Sequence, residues 1–563
     1  MSYDLVIRNG FVVDGTGAPG FAADVAVNAG IIAAIAAVGT IEGDAETVVD
    51  AQGHVVTPGF VDIHTHYDAQ ICWDPILSPS AEHGVTTVVF GNCGIGVAPS
   101  LPEHREINAL DLVSLEGMSI EVLKAGVTWD WESFESYMDY VQMQNPGINI
   151  SFLIPLAAVR RYVMGDAAIE RVANDDETTK IANLLESAMR AGANGFSTTT
   201  VARQKGWQGK PLACTLTSMQ ELQCYARVLK KVDRGVIQMN CANKLGTLSD
   251  AEFHLIDTLM KESGRPVSWS GAVSNSADGP DAFAAYLKKI EPLVARGGKP
   301  QGTSRPLTVE VGLKNPFFMT DLETGQKVLG QDTELQLGFY ADPAYRREVL
   351  SEWEKGSKFF SAAWVDCQVL RVANPNMKQY LRRTVREIAT ERGADPIDTF
   401  FDLAIEDDLN LKYLGAIANA EEEHVREQVN DDRILLGMSD GGAHVDMLLE
   451  SNYTTYILGH WVREKQAMSL ERAVHRITGE PADLFGITDR GRLAVGLAAD
   501  ITIFDKDRVG SAMKATEIKH DLPAGGERLY IAPNGIDYVI VNGAVLYDHG
   551  EATSNRAGQV LRT

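Results

Sequence analysis

The two ends of the chain share an alternating pattern of apolar and polar positions, which predicts short β-strands. The alternating runs are residues 4–13, 24–27, 31–38, 499–504 and 538–547. Glycine-rich turns separate the runs near the N-terminus. Because chain termini usually lie close together, we predict one small β-sandwich domain that is built from residues 1–57 and 491–563.

The middle of the chain follows another pattern, in which short apolar runs are separated by helix-like stretches. The apolar runs are residues 59–66, 85–94, 148–155, 194–198, 235–240, 266–271, 306–312 and 434–440. Alternation of strand and helix is typical of parallel βα units, and eight strands can close a barrel. We therefore predict an α/β fold, a (β/α)8 TIM barrel over residues 58–490. The long gap before the eighth run predicts an insertion over about 313–433 near the barrel mouth.

Composition and charge narrow the classes of partner. The 563 residues are 45% hydrophobic and carry a formal net charge of −25. An acidic surface repels phosphate groups, which argues against nucleic acid and membrane partners and leaves a small-molecule substrate. The N-terminal pattern is not that of a signal peptide, and the six cysteines show no C-x-x-C pairing. We therefore expect reduced thiols in a cytoplasmic protein.

The first apolar run ends in His64-Thr65-His66. Residues two apart in a strand point to the same side, so both imidazoles project together at the C-terminal end of a barrel strand. Barrel enzymes keep their catalytic groups at this end, and two convergent imidazoles form half of a divalent metal site. Two unrelated surface histidines are the alternative explanation. The context TPGFVDIHTHYD favours the metal site.

The eighth apolar run ends in Met438-Ser439-Asp440, followed by two glycines. Asp440 would therefore lie at the same mouth as His64 and His66. A carboxylate in that position can bind a metal and also accept a proton from water. Taken alone, an aspartate before two glycines is explained equally well by a turn. Its combination with the two histidines predicts that Asp440 is both a metal ligand and the general acid/base.

The second apolar run ends in Gly91-Asn92-Cys93-Gly94. A thiolate beside two metal-binding imidazoles is a credible zinc ligand. A small buried residue in a tight turn explains Cys93 equally well, so the residues alone leave both interpretations open.

These segments, together with the tail GRLAVGLAADITIFD, resemble the amidohydrolase superfamily, and within it the N-acyl-D-amino-acid deacylase (D-aminoacylase) branch. The resemblance covers almost the whole chain and is weakest in the predicted insertion. It implies hydrolysis of the amide bond of an N-acyl amino acid by metal-activated water. It also implies that the aspartate at the end of the eighth strand, Asp440 here, is the general acid/base.

The sequence departs from that branch at the ends of the fifth and sixth strands, where the resemblance implies one zinc-binding histidine each. The fifth run ends at Asn240, the sixth ends at Gly271, and neither stretch contains a histidine. One of the branch's metal positions is therefore dismantled. We predict one divalent metal ion at most, most readily zinc, held by His64, His66 and Asp440, with Cys93 as an uncertain fourth ligand.

Three further residues are predicted to contact the substrate. Asn240 could polarise the scissile carbonyl, Trp269 could narrow the pocket or stack on an acyl group, and His444 could line the pocket. Each also has an ordinary explanation, because most tryptophans lie in the core and most loop histidines are solvated. Barrels of this class often form oligomers, so a homo-oligomer is a further expectation.

Three functions remain open from the sequence. The first is an amidohydrolase that cleaves a carbon–nitrogen bond in an N-acyl amino acid. The second is a superfamily enzyme that opens a lactone, an ester or a cyclic imide, or that catalyses a non-hydrolytic step, which the missing histidines make plausible. The third is a catalytically inactive barrel used for binding, which the joint presence of His64, His66 and Asp440 disfavours.

Overall fold

A computed structural model describes residues 2–274, 279, 281–320, 322–355, 362–443, 450–512 and 515–562. The α-helices are Arg105–Glu116, Ile120–Gly126, Phe134–Met143, Leu156–Met164, Asp175–Ala191, Met219–Val232, Asp250–Ser263, Ala282–Val294, Glu323–Val328, Thr333–Ala341, Pro343–Glu354, Val385–Arg392, Pro396–Glu406, Glu422–Asn430, Tyr453–Tyr456, Leu470–Ile477 and Gly479–Leu484, and a π-helical stretch covers Ile457–Glu464. Within these described residues, no helix is both long enough and apolar enough to span a bilayer.

Parallel strands connected by helices form the centre of the fold. In chain order they are Phe60–Asp62, Val85–Phe90, Asn149–Phe152 with Ile154–Pro155, Gly195–Thr199, Val236–Asn240, Val267–Ser270, Lys299–Gly302 and Leu435–Leu436. Each strand pairs in parallel with the next one. A parallel bridge between Thr65 and Gly441 joins the last strand to the first, so the pairings run around a closed ring.

Seven of the eight strands match the predicted runs, the fourth extending one residue further to Thr199, but the seventh prediction was wrong. The ring strand is Lys299–Gly302, whereas Leu307–Val311 pairs antiparallel with Lys412–Ala418 outside the ring. The cause is that the run PLTVEVG has the alternation of a strand with one exposed face, which suits an antiparallel sheet. The short KPQG strand carries a lysine and a proline and gives no such signal.

The segment between the seventh and eighth strands builds a separate layer. The strands Leu307–Val311, Lys412–Ala418 and Gln368–Arg371 form a three-stranded antiparallel sheet. Five of the helices surround this sheet, and the side chains between them form an apolar core of their own, from Val309 to Tyr413. A self-contained core explains how a long insertion can be accommodated beside the ring.

The two chain ends meet in one nine-stranded sheet. Its strands are Ser2–Val12, Phe21–Asn28, Ile31–Ala36, Asp44–Asp50, Val55–Pro58, Ile501–Phe504, Ile536–Val541, Ala544–Asp548 and Glu551–Ala552. The halves join where Thr502 pairs with Thr57 in antiparallel register. A two-stranded sheet of Glu517–Lys519 and Arg528–Tyr530 lies apart from it. Strands from both ends of the chain therefore belong to one sheet.

Candidate active site

The first ring strand delivers two buried imidazoles to the C-terminal end of the ring. The side chains of His64 and His66 are 1% and 4% exposed, and their ring centroids lie 5.4 Å apart. Thr65, between them, points away and donates a hydrogen bond from its hydroxyl to the carbonyl of Val89 at 2.8 Å. The two-residue period of an extended chain therefore places both histidines on the same side, as the sequence predicts.

The last ring strand brings Asp440 against this pair. Asp440 Oδ1 lies 3.1 Å from His64 Nε2 and 3.7 Å from His66 Nε2. The backbone N–H of Asp440 donates to the carbonyl of His64 at 3.1 Å, and the residue has a positive φ of 48°. A Cβ on Gly442 would lie 2.7 Å from the carbonyl oxygen of His66, so the chain can pass here only as glycine. The SDGG turn thus holds the carboxylate beside both rings.

The loop after the second ring strand presents Cys93 to the same point. Its Sγ lies 3.3 Å from His64 Nε2. Cys93 has a left-handed φ of 55°, and its backbone N–H donates to Gln238 Oε1 at 2.7 Å. The N–H of Gly94 donates to the hydroxyl of Ser197 at 2.8 Å. Side chains from the fourth and fifth strands therefore fix the loop from inside the ring.

The charge balance of this cluster favours a positive charge at its centre. Burial alone lowers the pKa of His64, but the neighbouring Cys93 and Asp440 outweigh it and raise that pKa well above 6.5. Burial raises the pKa of the Cys93 thiol, and His64 opposes that rise. Atoms with lone pairs thus converge on His64 Nε2, where a proton or a cation relieves their mutual repulsion.

Glu116 is a site residue that sequence reasoning missed. It ends the helix Arg105–Glu116, its side chain is 4% exposed, and its Oε1 lies 3.6 Å from His66 Nδ1. Burial raises the pKa of Glu116 to about 8. The available signal was a carboxylate in the last turn of a helix, where the helix dipole disfavours negative charge.

Two glutamines that were not predicted lie against the cluster. His64 Nδ1 donates to Gln301 Oε1 at 2.5 Å, and Gln301 is fully buried. Gln238, also fully buried, accepts from Cys93 and donates to the hydroxyl of Ser270 at 3.2 Å. Gln301 was missed because its strand was assigned to the wrong residues.

The ends of the fifth and sixth strands carry no imidazole. Asn240 is the last residue of its strand and is half-buried, and by the strand's two-residue period it shares the inward side of Gln238. Its predicted contact with a substrate carbonyl stays a prediction. Gly271 follows the sixth strand with a φ of 107°, a backbone conformation that favours glycine.

The predicted substrate contact of Trp269 is contradicted by the structure. Trp269 is fully buried, and its indole N–H donates to the hydroxyl of Tyr286 at 3.1 Å, on the helix Ala282–Val294. It therefore lies on the outer side of its strand, because the neighbouring Ser270 bonds inward to Gln238. The prediction had the wrong face of the strand. His444 lies outside the described residues.

A substitution of Trp269 separates packing from substrate contact. We expect Trp269→Phe to lower the free energy of unfolding by about 1–3 kcal/mol, because it opens a gap and leaves the Tyr286 hydroxyl without this partner. The Michaelis constant should stay within a factor of about two, since this ring does not reach the site. Chemical denaturation and steady-state kinetics measure the two effects. A large rise in KM with unchanged stability would contradict this assignment.

The donor set at the cluster fits a zinc ion. Donor atoms of His64, His66 and Cys93 lie within 4.8 Å of one another, and all three residues are buried. Imidazole nitrogen and thiolate sulfur are the ligands that zinc prefers in proteins. The carboxylate of Asp440 adds a fourth donor next to both rings. The structure thus brings together the four predicted ligands at the mouth of the ring.

Comparison with known proteins agrees with this arrangement. Residues 47–547 match the profile of the amidohydrolase family. The chain is 28% identical to an N-acyl-D-glutamate deacylase of Alcaligenes xylosoxydans xylosoxydans, over 99% of this chain and 96% of that protein. It is also 28% identical to a D-aminoacylase of the same organism, over 99% of this chain and 97% of that protein.

A solved structure shares the fold at full length. The N-acyl-D-glutamate deacylase of Bordetella bronchiseptica, complexed with zinc and a phosphonate inhibitor that mimics the tetrahedral intermediate, superposes with a TM-score of 0.67. The two proteins are 25% identical, and the match covers 100% of each chain. The chain therefore belongs to the amidohydrolase family, in the branch that contains the D-aminoacylases.

Proposed function

We propose that the protein is a metal-dependent amidohydrolase that removes the acyl group from an N-acyl-D-amino acid. The observation that carries the proposal is the approach of His64, Cys93 and Asp440 at the C-terminal ends of three different ring strands, with distances of 3.3 and 3.1 Å from His64 Nε2. The activities of the two Alcaligenes relatives support the substrate class.

His64, His66, Cys93 and Asp440 are the residues that would hold the metal. A bound zinc ion supplies Lewis acidity, which polarises a carbonyl and lowers the pKa of water from about 15.7 to roughly 7. His64 and His66 would hold the metal in a fixed position, because both are buried and bonded to neighbouring segments. His64 donates to Gln301, and the backbone N–H of His66 donates to the carbonyl of Gly441. Cys93 contributes the soft donor that favours zinc over magnesium or calcium.

Asp440 is proposed to move the proton. Its carboxylate, 19% exposed, is the most accessible group of the cluster. It accepts a proton from the attacking water as the oxygen–carbon bond forms at the scissile carbonyl. It then returns the proton to the leaving nitrogen as the carbon–nitrogen bond breaks, which releases a carboxylic acid and an amine. Asn240, on the inward side of the fifth strand, is proposed to donate a hydrogen bond to the carbonyl oxygen.

The remaining predictions are consistent with this function and are kept as proposals. We infer that the ring is a (β/α)8 barrel over residues 58–490, and that residues 1–57 and 491–563 form a β-sandwich. The proposed insertion begins before Leu307 instead of near residue 313, because the strand Leu307–Val311 belongs to the inserted sheet. The cytoplasm is the proposed compartment, which is supported by six cysteines that are all free. A homo-oligomer stays a prediction.

A substrate screen tests the proposal. Purified protein is assayed against N-acetyl-D- and N-acetyl-L-amino acids with acidic and apolar side chains, and against lactones, esters and cyclic imides. We expect amine release from one or more D-compounds, loss of turnover after chelation, and recovery with added zinc. Turnover of a lactone or cyclic imide alone would contradict amide hydrolysis, and no turnover of any compound by zinc-loaded protein would contradict an enzymatic role.

A further inference from the structure

We propose that Gln301 and Gln238 are positioning residues that aim His64 and Cys93 at one shared cation. The inference rests on the proposed function, because it assumes that the cluster binds a metal. Both glutamines are fully buried inside the ring, on the seventh and fifth strands. Each one contacts a different proposed ligand, so together they could set the direction of two donors.

Gln301 favours the tautomer of His64 that carries its proton on Nδ1 and leaves Nε2 available to a metal ion. An amide oxygen can only accept, so its 2.5 Å contact with His64 Nδ1 requires the proton to be on Nδ1. In the neutral ring that a metal ion would bind, the lone pair is then on Nε2, the atom that faces Cys93 Sγ at 3.3 Å and Asp440 Oδ1 at 3.1 Å. The hydrogen bond also fixes the rotation of the ring. A histidine ligand usually needs such a partner on its second nitrogen.

The amide nitrogen of Gln301 differs from the amide oxygen in its hydrogen bonding. Within the part of the chain that the structure describes, its Nε2 is buried and has no hydrogen-bond partner. An unpaired buried donor costs free energy, so packing alone does not account for an amide here. Replacing the amide by a carboxylate loses no existing hydrogen bond and keeps the acceptor for His64. This gives a conservative variant, Gln301→Glu, that should preserve the positioning.

Gln238 holds the backbone that carries Cys93. A left-handed φ of 55° is disfavoured for a residue with a Cβ, so an outside contact must maintain it. The hydrogen bond of 2.7 Å from Cys93 N–H to Gln238 Oε1 supplies that contact. Ser270 fixes the amide in turn by accepting from Gln238 Nε2 at 3.2 Å. Ser270 on the sixth strand thus holds Gln238 on the fifth strand, and Gln238 holds the loop that carries the Cys93 thiol.

Zinc affinity measured by chelator competition tests the role of Gln301. We expect Gln301→Leu to weaken zinc binding by about 10–100-fold and Gln301→Glu to remain near wild type. The control is Gln336→Leu, which removes a buried glutamine of the insertion that donates to the carbonyls of Val328 and Lys314. This control should lower stability without changing zinc affinity. If Gln301→Leu does not fold, Gln301→Met replaces it.

Cobalt substitution tests Gln238. A thiolate bound to Co²⁺ gives a charge-transfer band, and we expect Gln238→Leu to weaken or lose it while Gln238→Glu, which keeps the acceptor for Cys93, retains it. Unchanged zinc affinity in Gln301→Leu, together with an unchanged cobalt band in Gln238→Leu, would overturn this inference. The proposed metal site would not be affected by that result. Failure of wild-type protein to bind either metal would overturn the proposed metal site and, with it, this inference.

Discussion

Asp440→Asn is expected to abolish nearly all turnover, by about 10²–10⁴-fold, while the fold remains intact. Asparagine keeps the size of the side chain and tolerates the positive φ of 48° at this position. It cannot accept a proton from water, so the step that the carboxylate performs is lost. His64, His66 and Cys93 remain, and zinc should still bind when it is supplied in excess. Steady-state kinetics and zinc analysis of the same preparation measure both effects.

Asp233→Asn is the matched control. Asp233 also has a positive φ, of 63°, at the end of the helix Met219–Val232, and its side chain is 89% exposed. The same chemical change there should leave kcat and KM unaltered. A variant at Asp440 that keeps a tenth or more of the wild-type kcat would remove this residue from the proton transfer.

His64→Asn is expected to lose both zinc and activity. His64 is the residue that both Cys93 and Asp440 approach, and it links the cluster to Gln301. Loss of a ligand should weaken zinc binding by more than the roughly 10–100-fold that removal of a hydrogen-bonded supporting residue costs. Turnover should fall in parallel and recover only in part at high zinc. Chelator competition and an activity titration with zinc provide the two measurements.

A buried histidine away from the site controls for damage to the fold. His83 is fully buried, and its ring nitrogens lie 2.7 Å from the Thr455 hydroxyl and 3.0 Å from the Ile531 carbonyl. His83→Asn should lower stability but leave zinc affinity unchanged. Equal zinc affinity in His64→Asn and wild type would show that the metal, if present, is bound elsewhere.

The proposed ligands could be predicted because they follow simple rules of strand geometry. His64 and His66 are two residues apart at a strand end, and Asp440 ends another strand of the same parallel set. The first and last strands are neighbours in the ring, so side chains at their C-terminal ends lie close together. The structure gives Asp440 Oδ1 distances of 3.1 and 3.7 Å to the two imidazoles.

The supporting residues could not be predicted, because their roles depend on contacts between distant segments. Gln301 lies on a short strand without hydrophobic alternation, and its partner His64 is 237 positions away. Glu116 gives one local signal, its place in the last turn of a helix, but its contact with His66 depends on how distant segments pack. For Trp269 the strand was predicted correctly, but the side of the strand was not. A shift of one residue moves a side chain to the other face, so a core side chain was predicted to line the pocket.

X-ray absorption of the purified holoprotein would show whether His64, His66 and Cys93 bind a single zinc ion. The protein is prepared without chelator, and elemental analysis gives the zinc content per chain. We expect one zinc per chain with one sulfur ligand at about 2.3 Å and nitrogen or oxygen ligands at about 2.0–2.2 Å. Zinc surrounded only by nitrogen and oxygen, or no bound metal, would contradict this expectation.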